Sequence, residues 1–133
     1  MESTGNRERS RAIRAESGAT GVAGEDAAAR YLCSLGHRIL HRGWRSRHLE
    51  VDIVSHTKGC LHFVEVKTRS DRDFRPSDAV DGRKKRNLLN AARAYLASNP
   101  TMDEVHFDVV SVYFGADGGA IIEYMEEAFL PYF

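Results

Sequence analysis

The sequence predicts an α/β domain with a mixed central β-sheet flanked by helices, in the order α-β-β-β-α-β-β. Three observations carry this expectation. Residues 21–35 and 82–98 repeat apolar side chains with the helical period. Residues 49–69, 105–114 and 120–125 are apolar runs with strand character, bounded by turn residues. The whole chain has 133 residues, enough for one core that buries roughly two-thirds of the unfolded surface.

Residues 1–20 have no large apolar residue besides Met1 and Ile13 and are dense in Arg, Glu, Ser and Gly. They are expected to form a disordered, Arg-rich tail ahead of a single domain spanning 21–133. In 21–35, Ala28, Tyr31, Leu32 and Leu35 follow the spacing of an amphipathic helix, and Gly36 stands where a C-terminal cap belongs. Residues 37–47 read as a first strand, and 49–69 as a hairpin turning at Lys58-Gly59. The only long irregular connection is 70–81, of a length that is often functional. In 82–98, Leu88, Leu89, Ala92, Tyr95 and Leu96 share a helical face that Asn99-Pro100 ends. A strand over 105–114 and a short one over 120–125 complete the order.

No stretch approaches the roughly 20 apolar residues of a membrane span, and the first 20 residues contain no secretory-type apolar run. Cys33 and Cys60 are too few for a disulfide framework or a Cys-based zinc site, so a cytoplasmic globular protein is expected. Formal net charge is zero but divided: residues 37–86 hold 13 Lys or Arg against 7 acids, and 87–133 hold one Arg against 7 acids. Such a division offers a basic face to a polyanion, although ordinary unevenness of surface charge accounts for it equally well.

Glu50, Asp52, Glu65 and Lys67 place four charges on a hairpin otherwise suited to the interior. Strand alternation puts Leu61, Phe63, Glu65 and Lys67 on one face and His62, Val64, Val66 and Thr68 on the other, the pattern of a central strand covered on both sides. Antiparallel pairing then brings Asp52 beside Glu65. A cross-strand ion pair, worth about 0.2–1 kcal/mol, explains one Glu-x-Lys. It leaves a surplus, because Lys67 cannot neutralise three carboxylates, and clustered like charges in a poorly solvated place are costly without a cation. Hard carboxylate oxygens, with no nearby Cys and no His pair at ligand spacing, suit Mg²⁺ or Mn²⁺ rather than zinc. Glu25, at the rim of the first helix's apolar stripe, adds a fourth carboxylate; a capping acid favoured by the helix dipole is the alternative account of it.

Glu25 on a helix, Asp52 on one strand and Glu65, Val66 and Lys67 ("EVK") on the next resemble the core of the restriction-endonuclease-like nucleases, the PD-(D/E)XK superfamily. The ordered blocks "GEDAAARYLCSLGHRIL", "RGWR", "LEVDIV", "FVEVKTR" and "AVDGRKKRNLLNAARAYL" resemble more closely the small bacterial YraN-like family of predicted endonucleases, over 21–129. The chain departs from that family's pattern at Leu49, where glycine is usual, and at Asp78, where glutamate is usual. The resemblance implies a restriction-endonuclease-like core and a divalent metal held by Asp52, Glu65 and the backbone carbonyl of Val66, with Glu25 binding directly or through water. It further implies that Lys67 orients the attacking water and offsets charge in the transition state. Glu50, on the strand face of Asp52, is read as a supporting group.

Arg83, Lys84, Lys85 and Arg86 stand at a helix start, where positive charge opposes the dipole. A bound phosphate would resolve that conflict; a solvated run with Asp78 and Asp81 as counterions fits as well. Trp44, Tyr132 and Phe133 have faces for stacking on bases, although core packing or a plain terminus is the simpler account. The expected function is a metal-dependent endonuclease acting on DNA, extended to branched DNA by the fold's similarity to archaeal Holliday-junction resolvases. Cutting both strands of a duplex calls for two active sites, so the expectation includes a homodimer. The rivals are a non-cleaving nucleic-acid-binding accessory protein of the same fold and a nuclease acting mainly on RNA.

Overall fold

The protein is described from a computed structural model at residues 9–14, 20–70 and 82–129. The connection over 71–81, with Asp78 and Asp81, the terminal Tyr132 and Phe133, and the rest of the expected tail lie outside the described residues. The elements are β1 (Arg9–Arg14), α1 (Thr20–Ser34), β2 (Arg38–Ser46), β3 (Leu49–Thr57), β4 (Cys60–Ser70), α2 (Gly82–Ser98), β5 (Glu104–Phe114) and β6 (Gly119–Phe129). The expected order is present, with one strand added in front.

All six strands form one sheet in the order β1-β6-β5-β4-β3-β2. Only β4 and β5 run parallel. Parallel neighbours need a long crossover, and α2 supplies it. Residues 9–14 correct the expectation of a wholly disordered tail: they pair with the edge of β6, Ala12 against Ile121 and Ile13 against Ala120. That expectation rests on missing large apolar residues, but main-chain hydrogen bonds to an open strand edge do not require them.

The helices cover opposite faces. Ala27, Ala28 and Leu32 of α1 pack with Ile53, Val64, Val110, Val112 and Ile122. Leu88, Ala91, Ala92 and Tyr95 of α2 pack with Val51, Val54, Leu61, Phe63 and Phe107. Phe63 and Val64, adjacent on β4, therefore enter different cores, as a doubly covered central strand requires. Each such fully buried large side chain contributes about 1.5–3 kcal/mol. Trp44 meets Tyr95 edge-on at 5.2 Å between ring centres and belongs with the α2 core, not to a stacking surface for bases. The end of α1 is closed by Gly36 at φ 98°, with His37 N–H donating to the Leu32 carbonyl and Gly36 N–H to that of Cys33, both at 3.0 Å.

Strand β3 is irregular at one point. Val51 and Ile53, two residues apart, would share a face of a regular strand, yet they lie in opposite cores. The alternation thus breaks at Asp52. Pairing between β3 and β4 runs from Thr57↔Cys60 to Ile53↔Val64 and ends at the same place. Among the described residues, no helix is long and apolar enough to cross a membrane.

Candidate active site

Where β3 leaves β4, the Val66 N–H donates to Asp52 Oδ2 at 2.8 Å. A side chain thus replaces a ladder acceptor and holds the Asp52 carboxylate across the opening, next to Glu65. A cleft of about 220 Å³ opens there, and its lining includes Glu50, Asp52, Glu65, Lys84, His48 and Asn87. Burial pushes the Asp52 carboxyl up to about 7, helped by the charges of Glu65, Glu25 and Glu50 and opposed by the Val66 N–H. Burial also raises Glu65, while the nearby Lys84 and Lys67 ammonium groups hold it down and Glu50 pushes it up. The four predicted carboxylates therefore act on one another, and they are not neutralised by Lys67 alone.

Each member has a local reason for its position. A Cβ at Gly24 would collide with the Thr68 side chain, so glycine lets the first turns of α1 rest directly on β4; Glu25 does not line the cleft, but its charge reaches Asp52. Glu25 accepts from Arg42 Nη2 at 3.4 Å, and the same guanidinium pairs with Asp26 at 2.8 Å. Glu50 is paired with Arg45 at 3.3 Å. Lys67, two residues beyond Glu65 on β4, is buried, only 8% exposed.

The basic run at the start of α2 divides. Lys84 Nζ lies 3.6 Å from Glu65 Oε2, which brings it into the cleft. Lys85 Nζ sits 5.4 Å above the Phe129 ring centre in a cation–π contact. Arg83 and Arg86 are exposed.

A second constellation was missed by sequence reasoning. Cys60, His62 and His106 bring one ligand atom each within 4.8 Å of one another. The parallel register pairs Cys60 with Glu104 and His62 with His106, uniting residues more than 40 positions apart. The available signal was Cys-x-His on one strand and Glu-x-His on another, which becomes a cluster only once those strands are neighbours in this register. Behind it, Asp108 is fully buried and accepts from the Tyr124 hydroxyl at 2.6 Å and the Glu127 N–H at 2.9 Å, while His62 Nδ1 lies 2.7 Å away. His37 bonds Ser55 at 2.8 Å, and burial, with the neighbouring His62, pushes it down to about 4.

The model of a family described as "Uncharacterised protein family UPF0102" matches residues 24–112, which contain Glu25, Asp52, Glu65 and Lys67. A UPF0102 protein of Bacteroides fragilis (strain ATCC 25285) is 46% identical over 118 residues, covering 88% of this chain and 97% of the relative. One from Nitratidesulfovibrio vulgaris (strain DP4) is 46% identical over 96 residues, covering 71% and 72%. A third, from Rhodococcus opacus (strain B4), is 41% identical over 113 residues, covering 84% and 96%.

Proposed function

The chain belongs to UPF0102, the YraN family, and on that premise we propose that it is a divalent-metal-dependent endonuclease acting on DNA. The observation that carries this reading is the Asp52 carboxyl, pushed up to about 7 in a cleft where Glu65, Glu25 and Glu50 act on it. Acids gathered at such a cost are what a divalent cation would relieve, and an all-oxygen donor set suits Mg²⁺ or Mn²⁺. Asp52, Glu65 and the Val66 carbonyl would hold it, with Glu25 binding directly or through water. When bound, such a metal acidifies water and polarises a phosphoryl oxygen.

The chain's own residues do the rest. The Val66 N–H fixes the carboxylate plane of Asp52, so that its free oxygen has one orientation. Lys67 donates to and orients the attacking water, and its fixed charge offsets the negative charge that builds on the phosphorus oxygens. Lys84 neutralises Glu65 at 3.6 Å and stands where a phosphate would compete for it. Arg83 and Arg86 take flanking phosphates, contacts that position the backbone without reading sequence. Cleavage of both strands of a duplex by this site would use two copies of the chain, and a homodimer is part of the proposal.

The test is incubation of the purified chain with labelled linear, flapped and four-way-junction DNA, and with RNA, in Mg²⁺ or Mn²⁺. DNA should be cut, and Lys67→Met, which keeps length and burial, should slow cutting at least about 10²-fold while binding persists. Binding without cleavage in either metal would make the protein an accessory module. Preferential cutting of RNA would reassign the substrate.

A further inference from the structure

Cys60 opens β4, five residues and about 16 Å of strand before Glu65, so the cluster around it is separate from the carboxylate cleft. We propose that Cys60, His62, His106 and Glu104 form a structural site for a transition metal that prefers thiolate and imidazole, with Zn²⁺ as its occupant.

The separations fit such an ion. Cys60 Sγ lies 3.8 Å from His106 Nε2 and 3.7 Å from Glu104 Oε1, and those last two atoms are 3.2 Å apart. Zinc held at about 2.3 Å from sulfur and about 2.0–2.1 Å from nitrogen or oxygen gives tetrahedral edges of about 3.5 Å and about 3.3 Å. Three of the four ligand atoms are therefore within a few tenths of an ångström of a coordination triangle. His62 completes the set with Nε2, because Nδ1 is engaged by Asp108 at 2.7 Å; Nε2 now meets Thr57 Oγ1 at 2.9 Å.

A carboxylate stands behind each imidazole. Asp108 lies on His62 Nδ1, and Glu126 Oε2 lies 3.2 Å from His106 Nδ1. Asp108 holds the N–H on His62 Nδ1, and with a metal bound Glu126 would hold it on His106 Nδ1, which frees each Nε2 as a ligand in the usual outer arrangement of a metal-bound histidine. The charge also balances: a Cys60 thiolate and a Glu104 carboxylate offset a divalent ion, with both imidazoles neutral and the thiol proton released to solvent. Sulfur and imidazole donors select against Mg²⁺, so the two sites would hold different metals. The bound metal would tie the start of β4 to the start of β5, with β6 reached only through Glu126 behind His106. The rival is a protonated His106 serving as the cation among Glu104, Glu126 and Glu127, the last at 3.4 Å; that arrangement needs neither the thiol nor His62.

The test uses the full chain, stripped of metal under reducing conditions and titrated with Co²⁺. One equivalent should bind with a thiolate-to-cobalt charge-transfer band, be displaced by Zn²⁺ and ignore Mg²⁺. Cys60→Ser should lose the band, and His106→Gln should weaken binding at least about tenfold. Asp52→Asn should retain it. Zn²⁺ should raise the melting temperature of the parent and of Asp52→Asn but not of Cys60→Ser. A folded parent without the band, or indifferent to Zn²⁺ in melting, overturns the proposal. So does a band that survives Cys60→Ser, which would assign the thiolate to Cys33.

Discussion

Asp52 sits between opposed influences: burial and three neighbouring carboxylates favour its protonated form, and the Val66 N–H favours its charged form. Its carboxyl titrates at about 7 in the folded protein, against about 3.9 for an unfolded aspartate. The folded state therefore binds the extra proton between those values, and the metal-free stability from this group is whole below about pH 4 and lost as pH rises through 7. Asp52→Asn keeps an acceptor for the Val66 N–H and escapes that loss. Metal-free melting in chelator should therefore show no advantage for the variant near pH 4, a growing one through neutrality and a plateau above about pH 7. At about 1.4 kcal/mol per pH unit, discounted by about half for solvent in the cleft, the plateau is about 2 kcal/mol. Saturating Mg²⁺ or Mn²⁺ should reverse the order, since metal at a hundred times its dissociation constant stabilises the parent by about 2.7 kcal/mol. An advantage equal at every pH would mean that the substitution improves packing and relieves no repulsion.

At the scale of elements, the start of α2 divides its cations between structure and surface, and the division can be measured. Lys84 is paired with Glu65 and Lys85 lies over Phe129, which leaves Arg83 and Arg86 as the exposed pair for duplex phosphates. Changing both arginines to Gln should flatten the log–log salt dependence of DNA binding by about 1.8, or about 0.9 for each lost contact. Lys85→Gln should leave the slope unchanged and lower stability slightly. Equal slope changes from Arg83 and Lys85 would show that the Phe129 contact opens on binding. The bounds of α2 and the turn at Lys58-Gly59 were legible because apolar periodicity and turn residues are local signals. The surplus of carboxylates was legible for a related reason: Glu50, Asp52 and Glu65 sit on one hairpin, just past the last pair, Ile53↔Val64, that its turn sets in register. What depends on distant register was not legible. The Lys85–Phe129 contact and the Cys60–His106 cluster each require strands or helices far apart in sequence to become neighbours. The last strand runs to Phe129, beyond the expected 120–125, because it passes Glu126 and Glu127, where the apolar pattern stops and the pairing register shifts.

For the whole molecule, the sheet has its chemistry in the middle and its vulnerability at an edge. The proposed catalytic groups come from α1, β3, β4 and α2, whereas β1 pairs with β6 alone. Ile122 and Ala120 of β6 face the α1 core, so removing β1 would leave that core in place and uncover a row of main-chain donors and acceptors. Backbone hydrogen bonds add about 1 kcal/mol each on balance, and ordering a residue costs about 1–2 kcal/mol, so β1 should contribute little to stability. Its larger effect is to cover an edge that would otherwise pair with another chain. A chain beginning at residue 15 should therefore melt within a few degrees of the full chain and cut DNA at the same rate. It should self-associate more strongly, seen by sedimentation as a concentration-dependent mass above that of the full chain. Lysine placed at Ile121, which pairs with Ala12 when β1 is present, should suppress the added association, because charge on an open edge opposes strand addition. Unchanged association in the shortened chain would mean that the β6 edge is protected without β1, and a lost cleavage rate would place part of the tail in the catalytic assembly.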